Sequence, residues 1–245
     1  MRLSDTMQAM RNGAAIRSGL LDAAAIGPAQ AETFRPAPAV VSVARILHRQ
    51  GYRDLNRVRP AIRRAAGHAA RLAEALHDPR ACYLRLAIRS CHAGRLELDR
   101  GTVLRCLAFS KYLCWCSDTV LFVITAGRRI DEKIIELAQS GEGLLEALLL
   151  ETAGSLALDD STRQLKRRIA AEAAIGARRL GMRMGPGHSY RLKDGVCTWP
   201  LENHEALFGS FNGQALPVEL LPSSAMLPRL SRSGLYGVGE RPSTN

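Results

Sequence analysis

DTVLFVITAG, residues 118–127, is where the chain declares its fold. Its length, its β-branched content and the closing Gly127 read as a strand buried on both faces at the centre of a sheet. Immediately after it the apolar period becomes helical: residues 129–139, then 144 to about 158 beyond a Gly-Glu-Gly break, then about 162 to 180. Working back, ACYLRLAIRS alternates, with Cys82, Leu84, Leu86 and Ile88 to one side and Tyr83, Arg85 and Arg89 to the other, as a half-buried strand does. GRLELD reads as its hairpin partner. Two helices precede these strands: VARILHRQGY, with Gly51 as its stop, and Pro60 to Leu76, with Ile62, Ala66, Ala69, Leu72 and Leu76 on one face. Downstream, Pro200 suits the first turn of a helix carrying Leu201, Leu207, Phe208 and Phe211, while LPVELL and SGLYGVG read as short strands. Strands alternating with helical pairs give an α+β domain and exclude a helical bundle.

At 245 residues and 47% hydrophobic, the chain can bury one sizeable core. Residues 1–38, rich in Ala and small polar residues and closing on FRPAPAV, read as a poorly ordered arm; 39–240 read as the domain and 241–245 as a tail. No apolar run approaches the roughly 20 residues that cross a bilayer, and the start lacks a signal-peptide core, so the expected location is cytoplasmic. The six cysteines form no CxxC pair and read as reduced packing thiols; Cys114-Trp115-Cys116, if on a strand, would turn both sulfurs to one face and offer a metal only two ligands. The net charge is +11, yet the basic residues are almost all Arg and spread from Arg2 to Arg241 without a long run. That pattern fits an acidic protein partner better than nucleic acid.

Several chemistries are excluded by what is missing. Neither GxGxxG nor GxxxxGK[ST] is present to cradle a nucleotide phosphate, and HExxH and GxSxG are absent too. The loop-rich stretch from Gly185 to Gly239 remains, with more Gly, Pro and Ser than a plain connector needs. Within it RLKDGVCTWPL, residues 191–201, reads as a loop running into the Pro200 helix.

This loop resembles the reactivation domain of cobalamin-dependent methionine synthase and the related activators of corrinoid methyltransferases. The family's loop runs approximately R-x-S-P-G-Y-G-D-W-P-L-E, and Arg191, Gly195, Trp199, Pro200, Leu201 and Glu202 fall at similar intervals. A second motif, approximately T-E-S-x-A/M-M-x-P-x-x-S-V-S-G, is similar to LPSSAMLPRLSRSG at Ser223, Ala225, Met226, Pro228, Ser231, Ser233 and Gly234. CSDTVLFVITAGRRIDEKI and GEGLLEALLLETAGSLALDD resemble the family's strand, turn and acid-ended helix, so the likeness spans about residues 41–239.

The resemblance implies a twisted antiparallel sheet with packed helices and a shallow groove for S-adenosylmethionine. It implies an accessory role: reductive methylation of cob(II)alamin carried by a separate cobalamin-binding methyltransferase subunit, with the electron from a flavodoxin-like donor. Arg191 would meet the methionine carboxylate, Gly195 would let backbone approach the ligand, Trp199-Pro200-Leu201 would pin the loop to the next helix, and Asp159 would close its helix near the ligand's polar groups. Tyr190 and Val196 complete the binding set, Val196 standing where the family has Tyr. Leu221-Pro222-Ser223 replaces Thr-Glu-Ser and loses a carboxylate. No DxHxxG corrinoid signature and no iron-sulfur cysteine set is present, so cobalamin and electron would both come from partners. Two other readings stand beside this one: an interaction module whose groove has decayed, and a basic nucleic-acid-binding protein.

Overall fold

In the computed structural model, which describes residues 30–141 and 143–240, chain order is β1 (Glu32–Phe34), α1 (Val43–Arg49), α2 (Pro60–Leu76), β2 (Arg80–His92), β3 (Arg95–Leu98), β4 (Val103–Arg105), α3 (Phe109–Tyr112) and β5 (Asp118–Thr125). There follow α4 (Arg128–Gln139), α5 (Leu144–Ile175), β6 (Arg179–Met184), β7 (Ser189–Leu192), β8 (Gly195–Thr198), α6 (Asn203–Gly209), β9 (Glu219–Leu220), β10 (Met226–Leu227) and β11 (Ser231–Gly239). The main sheet runs β4-β3-β2-β5-β11-β6, every neighbouring pair antiparallel. The 118–127 stretch is central as read, with β2 on one side and β11 on the other.

Alternation sends each central strand's side chains to two different cores. Tyr83, Val120, Phe122, Ile124, Tyr236 and Val238 join α1, α2, α4 and α5 in one apolar cluster, with the Phe122 and Tyr236 rings stacked at 5.1 Å. The alternate residues Leu84, Leu86, Leu121, Val123 and Leu235 are equally buried but belong to the other face, on the side where α3 packs on β2 and β3 and α6 on β4. β2 is therefore covered on both faces over Ala81–Leu84, while Arg85 and Arg89 lie exposed as a half-buried strand requires. The hydroxyl of Tyr83, expected on the open side, lies 2.7 Å from Glu32 and 2.8 Å from Glu172 and accepts a hydrogen bond from Arg168.

Other sequence expectations need correction. The arm does not extend to residue 38: Glu32, Thr33 and Phe34 pair with Tyr83, Cys82 and Ala81, and Ala37 exchanges two hydrogen bonds with the Gln164 amide. Residues 1–29 and the tail 241–245 lie outside the described residues. The two helices expected at 144–158 and 162–180 are one, α5, which ends at Ile175 with Gly176 as its cap. Asp159, Asp160 and Ser161 do not break it because no Gly or Pro stands there, and Ser161 and Thr162 return their hydroxyls to Ala157 and Leu158 carbonyls. Nor does Cys114-Trp115-Cys116 lie on a strand; it forms the turn between α3 and β5.

Gly154 explains how α5 comes so near its neighbours. A Cβ there would stand 2.5 Å from Leu230 and 3.0 Å from Ile130, so the absence of a side chain lets α4 and the chain entering β11 press against the helix.

Candidate functional site

Asp159 is the point from which a polar site can be built. It sits mid-α5, not at a helix end, with Arg49 of α1 at 2.8 Å on one oxygen and Arg232 of β11 at 2.5 Å on the other. One residue on, Asp160 takes a two-pronged hydrogen bond from Arg45 at 2.7 and 3.0 Å, so the two acids fasten α1 along α5. Burial by itself would raise the Asp159 carboxyl; Arg232 and Arg49 outweigh it and hold the group below the ordinary aspartate value.

Arg183, near the end of β6, extends this cluster. It pairs in register with Tyr236 and so points to the same face of the sheet. Burial, and then the Arg232 charge, pull its guanidinium below the ordinary arginine value, against the pull of Tyr236, Tyr190 and Asp159. Its Nη2 donates to His188 Nε2 at 3.2 Å, while His188 Nδ1 faces the Pro186 carbonyl at 3.3 Å, which sets the ring proton on Nδ1. The other terminal nitrogen, Nη1, is buried without a hydrogen-bond partner among the described residues. A guanidinium nitrogen left so is costly unless something else meets it.

The hairpin is the second part of the site. RLKDGVCTWPL is not a loop but β7, a Lys193-Asp194 turn and β8, with Arg191 opposite Val196 and Leu192 opposite Gly195. Its base is closed by Gly187 donating to the Trp199 carbonyl at 2.7 Å and Trp199 donating to the His188 carbonyl at 3.0 Å. Trp199 is fully buried, edge-on to Phe109 at 4.9 Å, and so anchors the hairpin to α3, while the Pro200 and Leu201 carbonyls accept from Asn203 and His204 at the start of α6. Tyr190 is buried and its hydroxyl locks both backbone groups of Gly185, two residues from Arg183.

Of the residues expected to bind, Tyr190, Arg191, Gly195 and Val196 come together on this hairpin. Arg191 is exposed and holds position through its carbonyl, which accepts from Lys111 at 3.0 Å and Tyr112 at 2.9 Å; its guanidinium has no partner among the described residues. Gly195 has φ 138° with open space where a Cβ would be, and Val196 is 69% exposed. Among the described residues no hydrogen bond or ion pair joins Asp159 to the hairpin. Sequence reasoning did not single out Arg49, Arg183 or Arg232. The signal for Arg183 was present: in the family pattern the arginine stands three residues before Pro-Gly, as Arg183 stands before Pro186-Gly187.

A solved structure described as the MetH reactivation domain bound to AdoHcy matches this chain with a TM-score of 0.60, over 89% of this chain and 80% of that one, at 11% identity. No protein-family model and no curated protein matches the sequence. The likeness establishes the fold: α+β, an antiparallel sheet with packed helices, as in the MetH reactivation domain. Among the described residues no helix is long and apolar enough to cross a membrane, and no cluster of His, Cys, Asp or Glu is arranged to hold a metal ion.

Proposed function

We propose that this chain is a detached reactivation subunit for a cobalamin-dependent methyltransferase and binds S-adenosylmethionine beside Asp159 and Arg183. The observation that carries the reading is the buried Nη1 of Arg183, left unpartnered in a fold whose solved counterpart was captured with AdoHcy. A carboxylate is the natural partner for that nitrogen, since the guanidinium fork presents parallel donors that a Lys cannot imitate. Asp159 offers the matching acceptor for the ligand's ammonium, because a carboxylate has about four lone-pair sites and its two arginines use only part of them. Arg183 therefore takes the role first assigned to Arg191, and the hairpin that carries Arg191 does not clasp the ligand's carboxylate.

Bound S-adenosylmethionine would supply an electrophilic methyl group to cobalt held on another protein. The chain's own contribution is position: Arg183 and Asp159 fix the amino-acid end of the ligand, and Tyr190 holds the Gly185 turn that follows Arg183. The excess of Arg suits docking on an acidic partner, with electron supply left to a separate flavodoxin-like donor.

The test is reconstitution. An oxidised cobalamin methyltransferase that lacks its own reactivation domain is mixed with S-adenosylmethionine, a reduced flavodoxin and this chain. Activity should return only when all are present, and no return with an otherwise competent partner counts against the role. One observation favours a second reading, an interaction module with a closed groove: both Asp159 oxygens are already engaged by arginines. That module would bind the methyltransferase without S-adenosylmethionine.

A further inference from the structure

The β7–β8 hairpin carries a thiol that the proposed ligand site does not use. Cys197 on β8 lies opposite Tyr190, and its sulfur is 3.9 Å from that of Cys106, which follows β4. The Cys106 backbone is fixed by its N–H, which donates to the Gly94 carbonyl at 2.7 Å. Cys197, by contrast, rides on a two-stranded hairpin outside the main sheet. Both thiols are free and line an open pocket of about 270 Å³, whose rim includes Arg95 and Arg105. Arg95 is paired with Glu97, whereas the Arg105 guanidinium has no partner among the described residues.

We propose that Cys106 and Cys197 are a modification site, closed to a disulfide by an anionic low-molecular-weight disulfide of the oxidised-glutathione type, which clips the β7–β8 hairpin to the sheet. A disulfide needs its sulfurs at about 2.05 Å, an approach of roughly 2 Å that a peripheral hairpin can make more readily than a sheet interior. The order of events follows from the two environments. Cys106 is buried, and burial, with Cys197 beside it, pushes its thiol up to about 11, so it does not attack first. Cys197 is half-buried and opens on the pocket.

The Cys197 thiolate attacks one sulfur of the small disulfide, whose S–S bond breaks and releases one small thiol after protonation. Cys106 then gives its proton to solvent and attacks the Cys197 sulfur, expelling the second small thiol. Two protein thiols become one disulfide while one small disulfide is reduced to two thiols. Arg105 and Arg95 favour the reagent's carboxylates at the pocket rim.

The thiol pair stands whether or not the groove binds S-adenosylmethionine, and its test uses neither cobalamin nor a methyltransferase. The full chain is incubated with oxidised glutathione, or at equal concentration with cystamine, a cationic disulfide; it is then acid-quenched, alkylated and mapped by mass spectrometry. A Cys106–Cys197 cross-linked peptide should accumulate, be lost on reduction, and form several-fold faster with glutathione disulfide than with cystamine. Cys106→Ser should stop at one glutathione on Cys197, and Cys197→Ser should leave Cys106 unmodified, with circular dichroism confirming that both variants fold. Cross-links that form first among Cys91, Cys114 and Cys116 while Cys106 and Cys197 stay reduced would overturn the proposal, as would equal or faster closure with cystamine.

Discussion

At Gly234, where β11 passes β6, the backbone adopts φ 152° and a Cβ would collide with the Met184 carbonyl oxygen. Gly195 also has a positive φ, 138°, but faces open space. The two glycines serve different ends, one close backbone packing and the other a turn, and substitution separates them. Gly234→Ala should lower unfolding stability by about 3 kcal/mol in urea titrations; Gly195→Ala should cost only about 1 kcal/mol. Both positions were legible as members of motifs, but their reasons were not, since a clash across strands depends on register and no local pattern reports it. The same limit explains the arginine. Arg191 was matched by its spacing to Trp199 and Arg183 has the motif's spacing to Pro186-Gly187, so two arginines compete for one motif position and local spacing alone does not choose between them.

Among elements, β2, β5, α1, α2 and α4 follow directly from periodicity, because each has a face whose apolar spacing matches its geometry. α5 and the β7–β8 hairpin were harder. Acids and Ser at 159–161 imitate a helix end in sequence, yet here they are held by Arg49, Arg45 and Arg232 from neighbouring elements, a tertiary cause. The hairpin had a local signal, Asp194-Gly195 between short alternating runs, obscured by its few residues and polar face. Because His188 and Trp199 are hydrogen-bonded to each other at its base, the hairpin is a module. Deleting 189–198 and joining the ends through a Gly-Gly link should leave a cooperatively folding chain that loses no more than about 2 kcal/mol by chemical denaturation. Loss of cooperative unfolding would mean that the hairpin is integral to the second core.

On the scale of the whole molecule, the sheet separates two cores, and each side holds a buried histidine. His77 accepts from the Ala39 amide at 3.1 Å and lies 3.3 Å from the Ser161 hydroxyl; His204 sits 3.0 Å from the Ser224 carbonyl. Burial is the chief cause holding both below the ordinary value of 6.5, opposed by Asp78 at His77 and by the Ser224 bond at His204. The folded chain thus binds these protons less readily than the unfolded chain. Stability is full above the unfolded value and falls as the pH drops through the lower folded values. Melting temperature should therefore be lower at about pH 5 than at about pH 7.5, and His77→Gln should narrow the difference; an unchanged difference would remove His77 as a cause.

The central claim joins both scales: this fold presents Arg183 to a carboxylate, and the exposed Arg191 is incidental to it. Calorimetric titration of S-adenosylmethionine into the wild-type chain, Arg183→Ala and Arg191→Ala tests it most directly. The account predicts wild-type binding that weakens tenfold or more in Arg183→Ala, about 1.4 kcal/mol, with Arg191→Ala within about twofold of wild type. Loss confined to Arg191→Ala, or no binding by the wild-type chain at millimolar ligand, would contradict it.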